Sequence, residues 1–237
     1  MSILSHIVLS KVVLSKFEPV KGEPFCWIDY SSSPQYLIRR GLAASFNTKE
    51  NYYTPEVEEY LSRTVETHIN QLLDQAPDIS DEDIVVFEKS QDMAYSYLEA
   101  LISRDIAFHK ERKESPSEIV MSLTTIMKNE GTLRKRFNVS YLVNQSKVPF
   151  TLPSNGIIQI NNKALICPIS PRVALYFYNS TDNHYKYVDE DDLVMEINRI
   201  AFRQAFTNKC SALICSEKSV LDTLKDEFLS DKQQTND

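Results

Sequence analysis

Over the first 130 residues apolar positions recur at three- and four-residue steps, and from about Phe137 they alternate with polar ones, so the chain predicts helices first and strands afterwards. Residues 3 to 17 are apolar but interrupted. They predict a short extended segment and a helical turn, ended by Pro19, Gly22 and Pro24. Phe25 to Tyr30 reads as a strand, Ser31 to Pro34 as a turn, and the stretch onward to Tyr53 as irregular.

Thr54 opens the first long helix. Pro55 suits the first helical position, Glu56 and Glu58 suit the positive end of the dipole, and Val57, Leu61, Val65, Ile69 and Leu72 form its stripe as far as Ala76. Ser80 and Asp83 open a second helix, whose stripe of Ile84, Phe87, Gln91, Ala94, Leu98, Leu101 and Ile102 runs to about His109. Ser115-Pro116-Ser117-Glu118 is a capping box, with Ile119, Leu123, Ile126 and Met127 as the apolar face behind it and Gly131 as the stop.

Alternating runs then lie at 139–143, 148–152, 157–160, 164–166, 172–178 and 185–188, with Asn161-Asn162 as a tight turn between two of them. Asp189 caps a helix to about Phe206 that turns Leu193, Ile197, Ile200 and Ala201 inward. Residues 212–215 form a short strand, Val220 to Leu229 a last helix, and a polar, disordered tail follows Ser230. No repeat or linker divides the chain. The pattern as a whole predicts a single α+β domain over residues 1–230, with a helical N-terminal half packed on a mainly antiparallel sheet from the C-terminal half.

In that pattern Val173, Leu175 and Phe177 point to one side of a strand and Ala174, Tyr176 and Tyr178 to the other. If 179–184 is a hairpin loop, Tyr178 pairs with Tyr185 and Tyr176 with Tyr187, so four tyrosines share one face, packed beneath a helix or open to a partner. Gln91 is a polar residue in an apolar stripe, where its amide needs partners. Arg134-Lys135-Arg136 is the one compact basic cluster, fit for a phosphate or an acidic partner, or else a solvated helix end.

Composition removes several function classes. Only four glycines occur in 237 residues, at 22, 41, 131 and 156, too scattered for a phosphate-cradling loop or a nucleophile elbow. Cys26, Cys167, Cys210 and Cys215 contain no CxxC, and His6, His68, His109 and His184 no metal-binding spacing, so no metal or cofactor is expected. A net charge of −7 argues against nonspecific nucleic-acid binding. The interrupted N-terminus argues against a signal peptide, and no run reaches the roughly 18 apolar residues of a membrane span, so a cytoplasmic protein is expected.

Two further strings carry chemistry by residue type. Asp105, Glu111 and Lys113 have the acids and lysine of a metal-dependent nuclease, but in the charged end of a helix instead of on a strand. His68 shares the stripe of Val65 and Leu72, which makes it a packing histidine before a general base. Asp189 to Asp192 lack calcium-loop spacing and fit a helix N-terminus.

The segment 138–175 resembles the bacterial family called domain of unknown function 4238. There a strand leads to a Phe-Ile-x-Ser-Asp-x-Pro turn and then to a Pro-Leu-Ser-Pro strand. Here Phe150, Ser154 and Asn155 match the first motif, Pro168, Ser170 and Pro171 the second, and Asn198 an asparagine of the following helix. Asn51-Tyr52-Tyr53 and Glu66 are similar too. The chain departs from the family at His6, which lacks its partner proline, at Asn155 in place of aspartate, at Ile157 or Ile158 in place of the turn proline, and after Gln91, where no arginine matches. The resemblance implies a fold and no reaction. With no catalytic constellation in the residues, the expectation is a non-catalytic protein that binds an unidentified protein or small molecule; the alternative is a hydrolase, such as a nuclease, with a site assembled from distant residues. The residues singled out for binding are Tyr176, Tyr178, Tyr185, Tyr187, Ser154, Asn155, Gln91, Arg134 and Arg136.

Overall fold

The computed structural model describes residues 4–6, 8–30, 37–43, 47–75, 88–105, 113–179, 187–207 and 212–234. The expected turn at Ser31 to Pro34, the expected helix start at Ser80 and Asp83, and Tyr185, Glu111, His109, His184 and Cys210 lie outside the described residues. Strands β1 (Leu4–His6) and β4 (Thr48–Glu50) pair antiparallel. Strands β2 (Phe25–Asp29), β3 (Leu37–Gly41), β6 (Leu152–Pro153) and β11 (Ala212–Cys215) form an antiparallel sheet in the order β3-β2-β11-β6. A five-stranded sheet runs β10-β5-β9-β8-β7, from β5 (Asn138–Asn144), β7 (Ile158–Asn161), β8 (Ala164–Pro168), β9 (Val173–Tyr178) and β10 (Tyr187–Val188).

The helices are α1 (Lys11–Lys16), α2 (Pro55–Tyr60), a π-helical segment (Leu61–Glu66), α3 (Thr67–Asp74), α4 (Glu88–Arg104), α5 (Pro116–Glu130), α6 (Thr132–Arg136), α7 (Asp191–Thr207) and α8 (Lys218–Gln234). The capping box closes as the sequence predicts, with Glu118 N–H donating to Ser115 Oγ and Ser115 N–H to Glu118 Oε2, and Gly131 ends α5 at φ +58°.

Alternation along the strands sorts side chains between two cores. Phe25, Trp27, Ile214, Val143, Cys167, Leu175 and Phe177 face a core shared with α1 to α5. Cys26, Ile28, Leu213, Cys215, Leu142, Ile166 and Ala174 face a second core shared with α7 and α8. Helices therefore cover both sides of the strands, and this corrects the expected layout of a helical half on a sheet from the other half. Strands and helices alternate along the chain. Residues 37–41 and 48–50, expected as irregular, are strands, and β2 and β3 bring N-terminal sequence into the sheet of β6 and β11. The polar face of β3 explains the misreading: its residues are exposed or half-buried, as befits an edge strand.

Two other expectations hold only in part, Ile197 and Ala201 on α7 and Ile119 on α5 being buried as expected. On α7 the inward residues are Val194, Ile197, Asn198, Ala201, Phe202 and Ala205, while Leu193 is exposed. On α5 Ser117, Ile119, Val120 and Thr124 are buried and Ile126 is exposed. The last helix runs on to Gln234, past the expected end at Leu229.

Candidate functional site

The tyrosine patch does not form. Strand β10 joins the sheet parallel to β5, with Tyr187 opposite Val143, instead of returning antiparallel beside β9. Strand β9 lies between β5 and β8, so Tyr176 faces Ser140 and Ile166 while Tyr178 faces Asn138 and Ala164. Tyr187 packs on the first core and Tyr176 on the second, which places them on opposite faces of the sheet. Among the described residues what survives is one pair, Tyr176 and Tyr178, stacked two residues apart with centroids separated by 5.2 Å and planes 18° apart.

Beside Tyr176 the second core opens in an apolar groove of about 190 Å³, lined by Leu142, Ile160, Ile166, Tyr176, Val188, Leu193 and Ile197. The sheet supplies the floor and the first turns of α7 the wall. The helix start is held by Asp191 Oδ1, which accepts from Lys147 N–H at 2.7 Å, and the middle of the helix by Asn198, buried between Thr151 and Pro149. Leu193 stands at the rim, 42% exposed.

The remaining sequence candidates serve the scaffold. Ser154 N–H donates to Ala212 O at 2.9 Å, and Asn155 Oδ1 accepts from Ile157 N–H at 3.3 Å, which shapes the turn after β6. Arg134 pairs with Asp92 and lies over the Tyr95 ring at 5.3 Å, so the basic cluster is partly tied to α4. Arg136 donates to Asn162 O at 3.3 Å and covers the Phe137 ring at 5.0 Å. Gln91 is half-buried on α4. None of these five lines the groove.

A polar cluster that the sequence reading missed gathers at the other end of α4. Arg104 is buried and its guanidinium lies 5.7 Å from the centroid of the buried Tyr53 ring. Burial pushes the Tyr53 hydroxyl up to about 12, although Arg104 pulls it down by charge and hydrogen bonding. Burial also raises the Glu66 carboxyl, against the pull of Arg104 and Lys11 and with the repulsion of Glu58. Tyr53 and Glu66, both part of the family resemblance, thus both feel the charge of Arg104, a residue that no motif in the sequence singles out.

Glu66 is the last residue of the π-helical segment. Its closing hydrogen bond runs from Thr67 N–H to Ser62 O, five residues back. In a straight α-helix each four-residue step of the stripe Val57-Leu61-Val65-Ile69 would drift by about 40°. The wider π turn takes up that drift, and all four stay buried.

Nucleophile chemistry finds little here. Burial pushes the Cys215 thiol up to about 12 and raises Cys167 as well, which keeps both protonated. No group of three or more His, Cys, Asp or Glu side chains among the described residues could hold a metal ion. Comparisons with family models, with curated proteins and with solved structures give no match.

Proposed function

We propose that this protein is a non-catalytic binding protein of the cytoplasm that takes an apolar group of its partner into the groove between β9 and α7. The observation that carries the reading is the groove itself, an opening into the second core whose rim residue Leu193 is left in solvent. Its volume is below the roughly 300 Å³ at which drug-sized ligand pockets begin, so it suits one apolar side chain or one ring of a ligand. Tyr176 adds a flat contact surface already fixed by its stack on Tyr178, which lowers the entropy cost of binding. Three buried free thiols, Cys26, Cys167 and Cys215, agree with a reducing compartment, and no described helix is long and apolar enough to cross a membrane. The hydrolase alternative would draw on Glu58, Glu66 and Arg104, but with Arg104 only 3% exposed that cluster offers a substrate little access.

The test uses an apolar fluorescent probe, 8-anilinonaphthalene-1-sulfonate, with the folded full chain. Leu193→Asp is expected to reduce probe binding several-fold while leaving the melting temperature nearly unchanged, because Leu193 contributes little buried area. Undiminished binding to that variant, or no binding to the parent chain, overturns the proposal.

A further inference from the structure

Helices α7 and α8 are fastened to each other by a two-pronged ion pair. Arg199 Nε donates to Glu227 Oε2 at 2.8 Å and Arg199 Nη2 donates to Glu227 Oε1 at 2.9 Å, while Nη1 donates to Glu196 Oε2 at 3.3 Å. Both oxygens of the Glu227 carboxylate therefore hold a donor, and the planar fork of the guanidinium is fixed in orientation. Beside this clamp the two helices leave a cavity of about 230 Å³, lined by Arg199, Phe202, Arg203, Leu224, Glu227 and Phe228.

The apolar part of the lining is aromatic and held in place. Phe202 and Leu224 are buried and Phe228 is half-buried. The Phe202 and Phe228 rings lie 5.1 Å apart at 52°, and behind them Phe206 stands 4.9 Å from Phe228 and Tyr30 5.6 Å from Phe202. Tilted rings of this kind accept a further ring by its edge or its face. The polar part is unbalanced. Arg203, one turn after Arg199 on α7, is exposed, and its guanidinium has no hydrogen-bond or ion-pair partner among the described residues. The hydrogen bonds of Arg199 hold the Glu227 carboxyl below its ordinary value of 4.5 against its burial, and Arg203 adds to this by charge alone. Two guanidinium groups thus line the cavity against one carboxylate, which Arg199 already occupies; Glu196 touches the clamp but does not line the cavity. In a chain of net charge −7, this aromatic cavity carries a positive group left over.

We propose that the cavity between α7 and α8 binds a small aromatic carboxylate, its ring against Phe202, Leu224 and Phe228 and its carboxylate on Arg203. The guanidinium fork matches the geometry of a carboxylate, which a single positive charge on a lysine would not. An amine fits less well, because its cation would stand beside two guanidinium groups while the one carboxylate in the lining is engaged. The volume lies below the roughly 300 Å³ at which drug-sized pockets begin, which limits the ligand to one ring with a short acid arm. The site shares no residue with the groove between β9 and α7, so it stands or falls independently of that reading.

The decisive comparison is between phenylacetate and phenylacetamide, titrated into the full chain and read by ligand-observed NMR. The two share a ring and a shape and differ in charge. Phenylacetate is expected to bind about fivefold more tightly, a modest factor because Arg203 stands in solvent. Arg203→Gln is expected to abolish that preference while leaving the affinity for phenylacetamide and the melting temperature unchanged, and Arg203→Lys to keep it in part. Phe228→Leu, checked for native circular dichroism, is expected to weaken both ligands alike. Leu193→Asp, at the rim of the other groove, is expected to change neither affinity. No binding of phenylacetate, equal affinities for acid and amide in the parent chain, or an undiminished preference in Arg203→Gln would overturn the proposal. So would a loss of binding in Leu193→Asp, which would place the ring in the groove between β9 and α7.

Discussion

Asn198 Oδ1 accepts two hydrogen bonds from Thr151, from the backbone N–H at 2.8 Å and from Oγ1 at 3.1 Å, while its Nδ2 donates to Pro149 O at 2.9 Å. The amide is fully buried and fastens α7 to the segment entering β6. Asn198→Ala strands a backbone N–H and a carbonyl in an apolar interior, which is expected to cost about 3 kcal/mol. Urea denaturation measures this, and a loss below about 1 kcal/mol would mean that water replaces the amide.

Gly156 and Gly131 both have positive φ, at +78° and +58°, but their surroundings differ. A Cβ on Gly156 would sit 2.7 Å from Leu101 Cδ2 and 3.1 Å from Leu9 Cδ2, whereas nothing lies within 4 Å of one on Gly131. Gly131→Ala is expected to cost about 1 kcal/mol of backbone strain, and Gly156→Ala about 2 kcal/mol or more because overpacking adds to it. Equal melting temperatures for the two variants would refute the close approach at Gly156.

Ser115→Ala removes one half of the α5 capping box and is expected to destabilise the protein by about 1 kcal/mol. Ser122→Ala, on the exposed side of the same helix, serves as the control and is expected to change stability by less than about 0.5 kcal/mol.

Burial holds the Glu99 carboxyl above its ordinary value of 4.5, with Arg134 and Lys128 pulling the other way. The folded chain therefore binds this proton more tightly than the unfolded chain. Its stabilising contribution is complete below 4.5 and is lost as the pH rises through the raised folded value. Glu99→Gln mimics the protonated group, so it should be more stable than the parent at about pH 7, with the gain vanishing near pH 4. Paired denaturation curves at the two pH values check this; a variant less stable at pH 7 would show that the Lys128 and Arg134 charges dominate.

Cys167 and Cys215 are fully buried and their thiols are held protonated. Iodoacetamide at pH 8 should leave both unmodified in the native chain and alkylate both in urea, as read by peptide mass spectrometry. Rapid native alkylation of either would place it at the surface.

Much of the local structure was legible in the residues. The Ser115 to Glu118 box, the Gly131 stop, the Phe25 strand and the alternation through β5, β8 and β9 all follow from short-range rules of hydrogen bonding and side-chain direction. Of the site, only Tyr176 among the eight named residues that the structure describes lines the groove. Leu193 was expected inside because α7 carries an apolar residue there, yet the face that meets the sheet is set by Val194, Ile197 and Ala201.

By itself the sequence determined most helix and strand positions, though not β3, β4 or the whole inward faces of α5 and α7, because caps, turns and periodicity act over a few residues. Only the tertiary structure decided that β10 pairs parallel with β5, that β2 and β3 join β6 and β11, and that helices cover both faces. Pairing between distant strands depends on chain closure and on which faces bury together, and no local pattern encodes it. The same holds for Arg104 with Tyr53 and Glu66. Each polar residue looks solvated in its own segment, and only the packing of helices far apart in the chain removes the water and leaves it facing the others.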